Sequence, residues 1–394
     1  MRLFAYGLIS VVLVFYLVGI GLTESQTGLL LTLTLIGDTA ISLYLTTQAD
    51  RVGRRRMLII GALLMAAAGL VFATTRNFLW LVVAGTIGVI SPSGNEVGPF
   101  LSIEQAALSH VVSDRTRTEV FAWYTLTGSF ATALGALVGG TLSQSLQNTV
   151  LSQVNGYRAV VVLYGVLGIV LALLFMRVSR NAEVSPSESS AAGGLGRLFG
   201  LHKSRRVVAK LSGLFAVDAF AGGFVVQSFA AYWFYLRFGV KPAALGAIFF
   251  WANILSGISA LLASRLAARF GLIRTMVLTH LPSNILLFLV PLMPNVKLAV
   301  LLLLARFSIS QMDVPTRQSY TIAVVSPEER SAAAGITGVA RTTGAAISPL
   351  FVGFLFARPA LINVPFYIAG ALKIVYDLLL YKEFISTKPP EEQR

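Results

Sequence analysis

Arg306, Ser310, Asp313, Arg317 and Tyr320 interrupt an otherwise apolar stretch of the chain. Their spacing of i, i+4, i+7, i+11 and i+14 puts all five on one face of a helix. A charged group at membrane depth is costly, so such a stripe cannot face lipid and must line a cavity or a bundle interior. Three chemistries are open to it. The arginines could hold an organic anion or act as a gate, and Asp313 could carry a proton. Alternatively, Asp313 and Arg317, four apart, neutralise each other structurally.

Further ionisable groups interrupt other apolar stretches. Glu96, Phe100 and Glu104 lie four apart after Ser91-Pro92-Ser93-Gly94, where two Pro and two Gly (Gly94, Gly98, Pro99) invite a break. Asp38 stands mid-stretch in Gly37-Asp38-Thr39. Desolvation there disfavours the charged carboxylate, which suits proton coupling; the other reading is a buried ion pair with Arg341. Asp218 precedes Ala221-Gly222-Gly223, a flexible point, and is a further proton-coupling candidate. Lys373 and Asp377 read as a structural i, i+4 pair.

The elements that carry these groups follow from composition. The chain has 394 residues, 56% hydrophobic and 12% charged, with a net charge of +14 and no cysteine. Its mean hydropathy is +0.77. Half the usual charge leaves too little polar surface for a water-soluble globule of this size and excludes a disordered chain. Without cysteine, and with three scattered histidines, no metal site or other cofactor is expected. No phosphate loop of Gly-Lys-Ser/Thr type occurs, which argues against direct ATP drive.

Apolar runs long enough to cross a bilayer recur to the end of the chain. We read twelve, at roughly 3–22, 27–48, 57–75, 79–112, 118–144, 157–177, 208–237, 241–264, 275–293, 298–324, 331–356 and 361–381. The fourth, seventh and tenth are too long for one straight crossing and should tilt or bend. With both termini cytoplasmic, most of the 31 basic residues fall on the inner side, as the positive-inside rule requires. The positive surplus is therefore a topology signal, and no nucleic-acid partner is expected. Residues 181–206 form one long hydrophilic segment, a cytoplasmic linker ending in a basic membrane-surface anchor. It separates residues 1–180 from 207–382, and 383–394 form a cytoplasmic tail.

The halves repeat. At an offset of 218, Gly21, Gly28, Ala49, Arg51, Gly53 and Arg56 meet Gly239, Gly246, Ala267, Arg269, Gly271 and Arg274. At an offset of 213, Gln105, Ser113, Arg117 and Gly140 meet Gln318, Ser326, Arg330 and Gly353, and Glu104 meets Arg317. That acid and base could form an ion pair between the halves; the other reading is a solvated Glu104.

The turn Ala49-Asp50-Arg51-Val52-Gly53-Arg54-Arg55-Arg56 resembles the A-D-R-x-G-R-R loop of the major facilitator superfamily, with a weaker echo at Ala267-Ala268-Arg269-Phe270-Gly271. Thr46 stands where the family has a leading Gly. In the fifth run, Ala131-x3-Gly135-Ala136-x2-Gly139-Gly140 is similar to a Gly-rich motif of the family's antiporters, with Ala136 in place of Pro. The antiporters' fourth-helix Arg is replaced by Gly85, while Leu302-x3-Arg306 supplies a similar pattern in the tenth run.

The resemblance implies an all-α membrane protein of twelve transmembrane helices in two six-helix pseudo-repeat bundles. It implies a monomeric secondary transporter of the inner or plasma membrane, working by alternating access about a midplane site. Protons are the expected coupling ion and a small organic molecule the expected cargo, with proton-driven export or carriage of an organic anion as the two readings. A non-transporting receptor is a distant third. Asp50, Arg51, Gly53, Arg54, Arg55 and Arg56 would form a cytoplasmic latch, and the first, fourth, seventh and tenth helices would line the cavity.

Overall fold

The computed structural model describes residues 1–94, 100–112, 117–149, 151–178 and 203–387. Sixteen α-helices run through them: α1 (Arg2–Ser10), α2 (Leu13–Gly19), α3 (Glu24–Val52), α4 (Arg54–Thr74), α5 (Phe78–Ile87), α6 (Phe100–Val111), α7 (Arg117–Thr149) and α8 (Gln153–Phe175), then α9 (Arg205–Gly223), α10 (Gln227–Phe238), α11 (Pro242–Phe270), α12 (Leu272–Leu289), α13 (Val296–Phe307), α14 (Asp313–Ala323), α15 (Arg330–Phe356) and α16 (Val364–Phe384).

Nine described helical stretches are long and apolar enough to cross a bilayer, and ten if the α1–α2 pair, bent by 50°, counts as one. The pairs α5–α6 and α13–α14 are interrupted crossings, each half too short alone. They complete the twelve. Of the runs expected to bend, the seventh breaks between Gly223 and Gln227 and the tenth between Phe307 and Asp313. The break in the first run, after Ser10, was not expected: no Pro or charge marks it.

Local chemistry explains the ends. A Thr23–Gln26 capping box opens α3, and the Asn77, Ser152 and Asn295 side chains accept the first free N–H groups of α5, α8 and α13. Gly53, between α3 and α4, has φ 111°, and Gly271, between α11 and α12, has φ 83°. Gly21 and Gly239 form a second pair at the same offset, with φ 107° and 66°. Side chains are penalised in that region of backbone space, so glycine sets these turns.

By backbone contacts the chain divides into two compact units. The first comprises Met1–Gly194 and Val226–Phe250, the second Leu195–Val225 and Trp251–Arg394. Within the first, α1 packs along α7, α4 along α8 and α3 along α5. A Cβ at Gly135 of α7 would overlap the Phe4 carbonyl and lie 2.8 Å from the Leu8 nitrogen. The Gly-rich stretch of the fifth run thus permits backbone-to-backbone approach. The α10 segment joins this unit through Gln227 Nε2 donating to Ser10 Oγ (2.7 Å) and Tyr232 Oη donating to Glu24 (3.1 Å).

Within the second unit, α9 packs on α15 and α16, and α12 on α14 and α16. Leu211, Phe215, Met276, Tyr320, Tyr376 and Leu380 form its apolar core. Glu329 accepts from the backbone nitrogens of Lys203 (2.9 Å) and Ser204 (2.8 Å) at the start of α9, satisfying free N–H groups there. Large apolar side chains such as Leu70 and Leu79 are 65% and 68% exposed. An outward apolar belt of this kind is stable only against lipid.

Candidate functional site

The second unit holds a buried ionic cluster drawn from five of its helices. Asp218, one turn before the α9 break, is 3% exposed. Lys373 Nζ of α16 donates to its Oδ1 at 2.5 Å, and Arg317 Nη1 of α14 reaches its Oδ2 at 3.4 Å. His280 Nε2 of α12 lies 3.9 Å from the same Oδ1. Arg317 Nη1 also donates to Asp313 Oδ2 at 2.7 Å, so one guanidinium ties two carboxylates together. Its carbon sits 5.6 Å from the centre of the Phe215 ring. Asp377 of α16 meets His280 Nδ1 and Asn284 Nδ2, both at 2.8 Å. Arg341 of α15 also acts electrostatically on Asp218.

Burying charges in a dry interior is tolerated only when nearly every polar atom is paired. Asp218 meets that condition by drawing on three other helices. The pair expected within one helix, Lys373 with Asp377, is not what forms: Lys373 turns to Asp218 and Asp377 to His280. Two residues on one helix face also had stronger partners on neighbouring helices.

Arg306 and Ser310 lie at the break of the tenth run, Arg306 in the last turn of α13. Arg306 makes no hydrogen bond or ion pair among the described residues; its Nε and the Ser310 Oγ are both shielded from solvent without a partner. Tyr320, further along the stripe, belongs to the core instead. It is fully buried, meets Phe384 edge-on and donates to the Thr387 carbonyl at 3.0 Å.

The first unit carries a smaller cluster. Arg2 Nη2 of α1 donates to Glu104 Oε2 of α6 and to Tyr124 Oη of α7, at 2.7 and 2.8 Å, and Tyr124 donates in turn to the same carboxylate. Arg2 lies 5.2 Å from the centre of the Phe100 ring, which stacks on Phe175. A cavity of about 410 Å³ opens beside Arg2, Glu104, Trp123, Tyr124 and Gly128. Glu104 therefore has a partner within its own unit. Arg2, next to the chain's first residue, is 5% exposed and part of the interior. Phe100 is fully buried in the same packing.

Asp38 is 9% exposed on α3 and falls in the first unit, whereas Arg341 falls in the second. Glu96 lies outside the described residues, as do residues 181–202 of the linker and 388–394 of the tail. Of the latch motif, Asp50 and Arg51 lie on the α3 helix with side chains outside the description; Arg54 is buried, Arg55 half-buried and Arg56 exposed. His280 was missed in the sequence, where histidine was weighed only as a metal ligand. Its position within an apolar run, four residues before Asn284, was the available signal.

The apolar crossings, several of them broken, with charged side chains paired in the interior of each unit, make this a multi-pass membrane protein. The chain belongs to the Major Facilitator Superfamily, whose family description matches residues 1–311 and 219–394. It is 32% identical to the uncharacterized membrane protein YJR124C of Saccharomyces cerevisiae over 98% of this chain and 92% of that one. A shorter stretch of 138 residues, 35% of this chain and 34% of the relative, is 27% identical to the quinolone resistance protein NorA of Staphylococcus aureus. Among solved structures, the nucleoside transporter NupG superposes with a TM-score of 0.73 at 14% identity, covering 97% of this chain and 96% of that one. A bacterial homologue of the human lysosomal transporter Spinster gives 0.72 at 16% identity, covering 98% and 96%. The likenesses to solved structures show the fold, and membership of the family makes the chain a membrane transporter of alternating-access architecture acting on small molecules.

Proposed function

We propose that the chain is a proton-coupled secondary carrier that exports a small organic molecule, with Asp218 at the centre of coupling. The observation that carries this is the position of Asp218, 3% exposed and held at once by Lys373 and Arg317, with His280 nearby. Asp313, Asp377, Tyr376, Arg341 and Arg306 are the further titratable and charged groups around the cluster. Adding or removing one proton here changes a charge that water cannot screen, so the pairing must rearrange. A pairing that rearranges with protonation, on a helix that is broken one turn away, is what linking proton movement to a conformational cycle requires.

Export is supported by the stretch similar to a quinolone resistance protein and by the Gly-rich run of α7. The charge distribution supports cytoplasmic termini; in the same reading residues 1–180 and 207–382 are the two halves, and the chain acts as a monomer in an inner or plasma membrane. The test uses purified chain in proteoliposomes carrying an internal pH dye. An imposed gradient of a transported compound should move protons in wild type and not in Asp218→Asn. Proton movement at the wild-type rate in Asp218→Asn would remove Asp218 from coupling.

A further inference from the structure

The ionisable groups buried around Asp218 do not balance. Three carboxylates, Asp218, Asp313 and Asp377, stand against four basic side chains, Arg306, Arg317, Arg341 and Lys373, besides His280. Lys373 and Arg317 are engaged with Asp218 and Asp313, and Asp377 is taken up by His280 and Asn284. Arg306 and Arg341 have no carboxylate within ion-pair distance among the described residues. Both are half-buried, and a cation partly withdrawn from water with no carboxylate beside it is costly.

Arg306 adds a second, local observation. Four residues on, Ser310 is 4% exposed and its hydroxyl has no hydrogen-bond partner. The Arg306 Nε is likewise shielded and unpartnered. The two sit at the break between α13 and α14, where the helix stops, and the nearest aromatic surface is the Phe307 ring, 5.0 Å from the guanidinium carbon. Arg306 as a whole is only half-buried, so its guanidinium edge stays reachable. A cation, a hydroxyl donor and a net positive surplus share one chemical complement, an oxyanion.

We infer that Arg306 and Ser310 form the binding subsite for a carboxylate or phosphate group, and that the cargo is a small organic anion. The assignment rests on the chain being a carrier and names the class of compound it carries. The guanidinium takes two oxygens of the anion and the Ser310 hydroxyl a third contact. Arg341, which faces the same carboxylates, adds a longer-range attraction.

The experiment is binding to the full chain in uncharged detergent, read by thermal melting and calorimetry, with no gradient present. The probes are citrate and glycerol 3-phosphate, with neutral glycerol as control. Phosphatidylglycerol against phosphatidylcholine separates a lipid headgroup from a soluble anion. At least one soluble anion should raise the melting temperature of wild type, and glycerol should not. Arg306→Met should weaken that anion at least about ten-fold, the loss of one charge-assisted contact. Its unliganded melting temperature should not fall, because no partner is left unpaired. Arg306→Lys and Ser310→Ala should each weaken binding by a smaller factor.

Unchanged anion affinity in Arg306→Met overturns the inference, as does stabilisation by glycerol alone, by phosphatidylglycerol alone, or by none of the probes. If Arg306→Met does not fold, unchanged affinity in both Arg306→Lys and Ser310→Ala overturns it. Coupling is separable: an Asp218→Asn chain that binds citrate and still moves protons fails the coupling reading alone.

Discussion

Each unit contains one acid–base link between two broken helices, fully buried in the second unit and half-buried in the first, and the links have opposite polarity. In the first unit the base, Arg2, is on α1 and the acid, Glu104, on α6. In the second the acid, Asp218, is on α9 and the base, Arg317, on α14. Glu104 and Arg317 occupy equivalent positions in the repeat. The two links also differ in what surrounds them. Arg2 and Glu104 have a phenol, Tyr124, as a further partner. Asp218 is enclosed by a second base, a histidine and further carboxylates, with cations in excess. A balanced pair holds two helices together. In the proposed coupling role, the cluster that includes a histidine is the one that answers to protons. The same scaffold position thus carries a small hydrogen-bonded group in one half and a larger ionic cluster, the proposed coupling site, in the other.

The sharpest way to break this contrast is to neutralise each acid. Asp218→Asn leaves Lys373 and His280 facing a neutral amide, and should lower stability by roughly 3 kcal/mol or more and abolish proton-linked transport. Melting in detergent and dye-loaded proteoliposomes measure both. Glu104→Gln keeps Tyr124 available to Arg2 and should cost less, roughly 1–3 kcal/mol, with transport retained. Equal transport defects in the two variants would remove the distinction. Gly135→Ala tests whether the first unit depends on backbone approach of α1 and α7 more than on its ion pair; forcing a methyl there should cost about 1–3 kcal/mol in thermal or denaturant melting. Lys210→Ala is the reference at the bottom of the scale. Its partner Glu383 is 41% exposed and Lys210 44%, so no change in melting temperature is expected.

Much of this architecture is visible in the chain before folding. Apolar length gives the crossings, and excess length in the fourth, seventh and tenth runs marks where helices break. The paired glycines mark the turns. The in-span charges of the second half were visible too, since a charge inside an apolar run has few explanations. Their partners were not. Lys373 and Asp377 have the spacing of a helix pair, but spacing on one helix carries no information about what neighbouring helices offer. Arg2 sits at the edge of an apolar run, where hydropathy cannot tell an interior residue from a flanking one. His280 and Tyr124 enter their clusters only through packing between distant segments.

The glycine pairs also bear on history. Gly21 and Gly239, and Gly53 and Gly271, share positive φ at one offset, while the ionic links around them have reversed sign. A turn that penalises every side chain leaves few substitutions open, whereas an acid and a base can trade places once both sit on packed helices. Two copies of an ancestral six-helix segment would therefore diverge fastest in their chemistry and slowest at their corners. The corners, not the charges, are where the common ancestor of the two halves can still be read.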